Sequence, residues 1–128
     1  MVSQITQGIK ISVITSFEGT FFKNHRLQYA FRYEISIENH SKDSVQLISR
    51  HWEVLDSLNN TEIIDGEGVV GEKPVIKPGQ TYTYNSGCFL SSSIGAMKGH
   101  YNMVNFTNTK KFKVIIPVFK LDALFALN

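Results

Sequence analysis

The run Gly66-Glu67-Gly68-Val69-Val70-Gly71 has the spacing G-x-G-x-x-G. In a dinucleotide-binding fold such a loop opens a helix, whose first N–H groups and dipole hold a pyrophosphate. Here Glu72-Lys73-Pro74 and then Pro78-Gly79 follow, so no long helix can begin. Asp65, Glu67 and Glu72 place three carboxylates on or beside the loop, where they repel a polyphosphate. The leading reading is a glycine-rich turn that needs left-handed backbone and close approach between sheets. The rival reading is a binding site for a small anion (pyrophosphate or a nucleotide) or one linked to a divalent cation. Its ligand-binding residues are Gly66, Gly68 and Gly71, with Arg50 as an anion anchor. The three carboxylates are hard oxygen ligands of the kind magnesium or calcium takes, but their spacing fits no calcium loop.

Arg50 shares strand parity with Trp52 and Val54, the face that reads as buried. A buried guanidinium needs a partner, so the sequence predicts an Asp or Glu on a neighbouring strand, or stacking on Trp52. His25, His40, His51 and His100 lack the paired spacing of a zinc site, and His51 has solvent-side parity. Cys88 has no activating base near it in sequence and reads as a small hydrophobe of an alternating strand. There is no G-x-S-x-G elbow, and no carboxylate pair is singled out for acid–base work. The expectation is a non-enzymatic protein with no catalytic residue, no metal site and no cofactor.

The elements that must position these residues are strands. From Leu27 to Asn39 the odd positions carry Leu27, Tyr29, Phe31, Tyr33, Ile35 and Ile37, and the even ones are mostly polar. That is period two, one face core and the other wet. Gly8–Thr15 repeats it with Ile9, Ile11 and Val13. Between Val45 and Asp56 the phase changes: Val45 and Leu47 share one parity, Ile48, Trp52 and Val54 the other. A bulge near Leu47–Ser49 reconciles the two halves. Further strands are expected at Thr81–Cys88, Tyr101–Phe106 and Phe112–Phe119, the last at a sheet edge because Pro117 cannot donate to a ladder. Turn signals stand at Asn59-Asn60, the three glycines, Pro78-Gly79, Ser86-Gly87 and Asn108-Thr109. Only Leu121, Leu124, Phe125 and Leu127 have helical spacing, enough for a turn or two. Six or seven antiparallel strands with short polar turns give an all-β fold, a two-sheet antiparallel sandwich.

The 128 residues, 42% hydrophobic and 19% charged, fit one domain spanning 1–128. A net charge of +2 is too slight for a dedicated nucleic-acid binder. Residues 1–72 carry 6 basic and 10 acidic side chains, whereas residues 73–128 carry 7 basic ones and Asp122. Interleaving of strands from both halves is expected to dilute that asymmetry. A single cysteine excludes an internal disulfide and suits a reducing compartment, and no apolar run is long enough to span a membrane as a helix. The expected location is cytoplasmic.

Tyr29-Ala30-Phe31-Arg32-Tyr33, Ser49-Arg50-His51-Trp52, the stretch Gly66 to Pro74, Pro78-Gly79, Tyr84-Asn85-Ser86-Gly87, Gly95 to Met103 and Ile116-Pro117-Val118-Phe119 together resemble the ApaG domain. Ala96, His100 and the glycine-free Asn108-Thr109 turn depart from the pattern in small ways. The resemblance covers essentially the whole chain and implies a stand-alone bacterial protein with an immunoglobulin-like or fibronectin type III-like sandwich. It also implies a protein-interaction module, as in related domains at the C-terminus of F-box proteins and in a polymerase-interacting protein. Bacterial members are linked by name with cobalt resistance and magnesium efflux, and the glycine motif has prompted nucleotide-binding proposals. The expected function is thus protein–protein interaction with an unknown partner. The apolar tail from Leu121 to Leu127 either folds back on the sandwich or forms a homodimer contact.

Overall fold

Alternation of apolar and polar side chains dominates the chain, and nine β-strands result among the described residues. The structure is a computed structural model and describes residues 1–57 and 61–123. The strands are β1 (Val2–Thr6), β2 (Ile9–Lys23), β3 (Arg26–Asn39), β4 (Val45–Asp56), β5 (Glu62–Glu67), β6 (Val75–Ile76), β7 (Thr81–Leu90), β8 (Ile94–Asn105) and β9 (Lys111–Asp122). One sheet has the order β1-β2-β3-β7; the second runs β5-β4-β8-β9, with β6 also paired to β4. Every named pairing is antiparallel. The fold is an immunoglobulin-like, fibronectin type III-like sandwich.

The inward faces follow the predicted parity. Ile9, Ile11 and Val13 of β2 and Phe31, Tyr33, Ile35 and Ile37 of β3 are buried against Val45, Leu47, Trp52 and Val54 of β4. Trp52, 2% exposed, packs on Tyr33 at 5.5 Å and edge-on to Phe119 at 5.9 Å and Tyr101 at 6.4 Å. Asn39 occupies the last inward position of β3. Its Nδ2 donates to the carbonyls of Asp43 and Ile76, and its Oδ1 accepts from the Ser41 N–H and hydroxyl, so its burial leaves nothing unmet.

The register of β4 on β8 shifts between Leu47 and Ser49, which makes Ile48 the extra residue of the predicted bulge. β9 is an edge strand, and its register shifts where Pro117 and Val118 lie opposite Lys98, a place where the missing N–H costs no ladder bond.

Three expectations need correction. Ser86-Gly87 is no turn; both residues lie inside β7, opposite Tyr33 and Arg32, because the ladder with β3 runs on to Leu90. Leu121 is not in a helical turn but is the fully buried penultimate residue of β9. The rest of that turn (Leu124, Phe125, Leu127) and the Asn59-Asn60 signal lie outside the described residues. Charge is not diluted in the second sheet either. β4 and β5, with five acidic side chains and Arg50, lie together on one side; β8 and β9, with four lysines and Asp122, lie on the other.

Candidate functional site

Arg50 and Gly66 face each other across the β4–β5 ladder. The arginine side chain crosses directly over the glycine, and a Cβ built on Gly66 would stand 2.7 Å from its Cζ. From there the Arg50 Nη1 donates to the carbonyls of Glu67 at 3.0 Å and Gly68 at 2.8 Å. The predicted carboxylate partner is therefore corrected to two backbone carbonyls. The physical reason is the loop itself, which turns those carbonyls back towards β4.

Beyond Gly68 the chain forms a tight turn. Val69 and Glu72 exchange both backbone hydrogen bonds, at 2.7 and 3.0 Å, around Val70 (φ 48°) and Gly71 (φ 79°). Two left-handed central residues make this the hairpin turn whose twist matches antiparallel strands. Gly71 adopts that conformation freely; the β-branched Val70, at the exposed tip, is strained. Gly68 is also left-handed (φ 59°), and a Cβ there would collide with the Glu72 carbonyl oxygen. Its N–H donates to the carbonyl of the bulged Ile48 at 2.7 Å. The N–H groups of Gly68, Val69 and Glu72 thus all donate within the protein.

The three loop carboxylates diverge. Asp65 Oδ1 lies 2.6 Å from His51 Nδ1, Glu67 pairs with Lys73 at 2.9 Å, and Glu72 accepts from the Tyr82 hydroxyl at 2.9 Å. Among the described residues, no three His, Cys, Asp or Glu side chains converge to hold a metal ion.

Under this fastened loop, between the β7 edge of one sheet and the β5 edge of the other, lies a cleft of about 220 Å³. Tyr33, Arg50, Trp52, Val69, Tyr84 and Ser86 line it, with Val70 and Asn85 at its rim. Burial pushes the Tyr33 phenol above its ordinary pKa, opposed by a hydrogen bond from Ser86 and the charge of Arg50. Burial likewise raises Tyr84 and Tyr101, and Arg50 again acts in the opposite sense. The residues of β7 in this cleft were invisible as a site in the sequence, because alternation marks Tyr84 and Ser86 only as inward-facing.

The sequence also missed a histidine pair. His51 and His100 are direct cross-strand neighbours on the outer face of the second sheet, with rings stacked at 4.9 Å. Asp65 holds one ring nitrogen of His51, and Glu53 lies 3.6 Å from the other. Desolvation, Lys113 and His51 hold His100 below its ordinary pKa. Cys88 is half-buried against the core, and burial, aided by Glu62 and Asp56, pushes its thiol up to about 12.

These features can be set beside known proteins. The ApaG domain family model matches residues 20–105. The chain is 40% identical over 125 residues to Protein ApaG of Methylocella silvestris, covering 98% of this chain and 95% of the relative. It is 41% identical over 129 residues to Protein ApaG of Beijerinckia indica, covering 98% and 96%. A crystal structure named as an ApaA protein of Bordetella pertussis superposes with a TM-score of 0.79 at 35% identity, over 89% of this chain and 92% of that one. No helix among the described residues is long and apolar enough to cross a membrane. The family-model match, the near full-length relatives and the shared fold agree, and the chain belongs to the ApaG domain family.

Proposed function

We propose that this chain is a non-enzymatic protein-interaction module whose contact surface is the projecting end of the β2–β3 hairpin. β1 pairs with β2 only as far as Val13, and β7 pairs with β3 only from Tyr29 onward. From Thr20 to Gln28 the hairpin therefore has no strand on either side. Two left-handed residues, Asn24 and His25, close it. It ends in apolar side chains: Phe22, 77% exposed, opposite Leu27 on the inward side, and Phe21 edge-on to Phe89 on the outer side.

That overhang carries the proposal. Leaving a large apolar side chain in water forgoes roughly 1.5–3 kcal/mol of burial, and a hairpin end with exposed aromatic side chains on both faces suits a partner that grips it from both sides. Lys23 and Arg26 flank the turn and favour a partner with acidic groups around an apolar centre.

The test is cross-linked capture from the native cell with the wild-type chain and with Phe22→Ser and Phe89→Ser. Both variants should melt as the wild type does, because both side chains are largely exposed. A protein captured by the wild type and lost from both variants supports the reading. A concentration-dependent doubling of mass, abolished by the same variants, identifies the partner as a second copy. Capture unaffected by either substitution moves the contact off this surface.

A further inference from the structure

The cleft beside Arg50 holds binding capacity that the protein does not consume. The Arg50 side chain is half-buried, and only Nη1 is engaged; Nε and Nη2 donate to none of the described residues. No carboxylate of the described residues lies in ion-pair range of it. A half-buried guanidinium with two unengaged nitrogens and no opposite charge beside it is a favourable place for an anion. Guanidinium geometry suits a carboxylate, which it can meet with two parallel hydrogen bonds.

The surroundings discriminate among anions. Glu67 and Glu72 flank the loop, and the Gly68, Val69 and Glu72 N–H groups are spent inside the protein. Lys73 offsets Glu67, which leaves one guanidinium to pair an incoming anion and Glu72 to repel it. One carboxylate is matched charge for charge, whereas the further charges of a pyrophosphate would find no partner. The walls add a second requirement, since Trp52, Tyr33, Tyr84 and Val69 are each under a tenth exposed and present only narrow apolar edges, so the group carrying the charge must be slim and uncharged. At about 220 Å³ the cleft is smaller than the roughly 300–1,000 Å³ of drug and cofactor sites, so it takes a group and not a nucleotide.

We infer that the Arg50 cleft binds one carboxylate attached to an aromatic or short apolar group. Such a ligand is either a free small acid or the terminal carboxylate of a peptide. This site is separate from the hairpin overhang and stands or falls independently of it.

The experiment follows the Trp52 indole N–H, the one tryptophan signal of the chain, in ¹H–¹⁵N spectra during titration. The probes are phenylacetate, its neutral amide, a capped Ala-Ala-Phe peptide with a free terminal carboxylate, the same peptide amidated, and pyrophosphate without metal. Saturable shifts are expected with phenylacetate, with the peptide acid, or with both, at least tenfold weaker with the amides. Response to phenylacetate alone identifies a free acid, and response to the peptide acid alone identifies a chain terminus. Asn85→Asp, which adds a negative charge at the rim without touching the loop's fastening, should weaken binding several-fold. Arg50→Gln should abolish it, provided its melting temperature shows a folded chain. The inference is overturned if neither acid gives a saturable shift at tens of millimolar, if amide and acid bind alike, or if pyrophosphate binds as well as the carboxylates.

Discussion

The hydroxyls of Tyr84 and Tyr101 are hydrogen-bonded to each other inside the core, one reaching in from each sheet. Tyr101 is fully buried and Tyr84 nearly so, so each hydroxyl depends on the other. Removing one partner strands a buried polar group, whereas removing both leaves an apolar contact of similar shape. Tyr84→Phe and Tyr101→Phe should each cost about 1–3 kcal/mol, and the double substitution should cost less than their sum. Urea denaturation of the four proteins closes the cycle. Additive losses would show that the pair is not coupled.

The glycine loop should respond unequally to alanine. Gly71→Ala strains one left-handed residue in open space and should cost about 1–2 kcal/mol. Gly68→Ala adds a collision with the Glu72 carbonyl, which breaks the Val69–Glu72 bridge, and should cost clearly more. Val70→Gly releases strain at the tip and should raise the melting temperature slightly. Calorimetry checks the order.

Cys88 should be a sluggish nucleophile. With its thiol pushed up to about 12, little thiolate exists near neutrality. The greater nucleophilicity of a more basic sulfur returns part of that loss. Alkylation by iodoacetamide at pH 8 should be about 30-fold slower than in the denatured chain. Equal rates would mean the thiol is freely exposed.

Acid should weaken the protein partly through His100. Its folded pKa lies below the ordinary value, so the unfolded chain binds more protons as pH falls through the usual histidine range. The neutral ring's contribution is therefore intact above that range and declines below it. Asp43 adds loss at lower pH, because hydrogen bonds from Asn105 and Thr107 hold its carboxyl below its usual range. His100→Gln should flatten the fall in melting temperature between pH 7 and pH 5.5. An unchanged slope would assign the fall to other groups.

Period two in Leu27–Asn39 and the change of phase after Leu47 make two core strands and one bulge readable from the sequence, since both are local patterns of side-chain direction. β1 was not readable, because Val2 to Thr6 are largely exposed and do not alternate as a core strand does. The site was less legible than the fold. The sequence correctly gave Arg50 an inward direction, but the carbonyls it holds belong to a loop 17 and 18 residues away. Periodicity says nothing about which way a carbonyl turns. His51 and His100 are adjacent only through the β4–β8 register, which depends on long-range pairing. The segregation of acids and lysines likewise follows from strand order, a property no stretch of sequence displays on its own.

Ile48 is surplus to the alternation of β4. With it deleted, Val45, Leu47, Arg50, Trp52 and Val54 would still fall on one face of an unbroken strand. What would vanish is the main-chain oxygen to which the Gly68 N–H is tied. The bulge thus works as a mooring point, an indel-sized element that leaves the sheet's phase untouched and governs whether the glycine segment is tethered to it. Shortening the strand by this one residue would uncouple the order of the loop from the stability of the core, two properties that substitutions within the loop alter together.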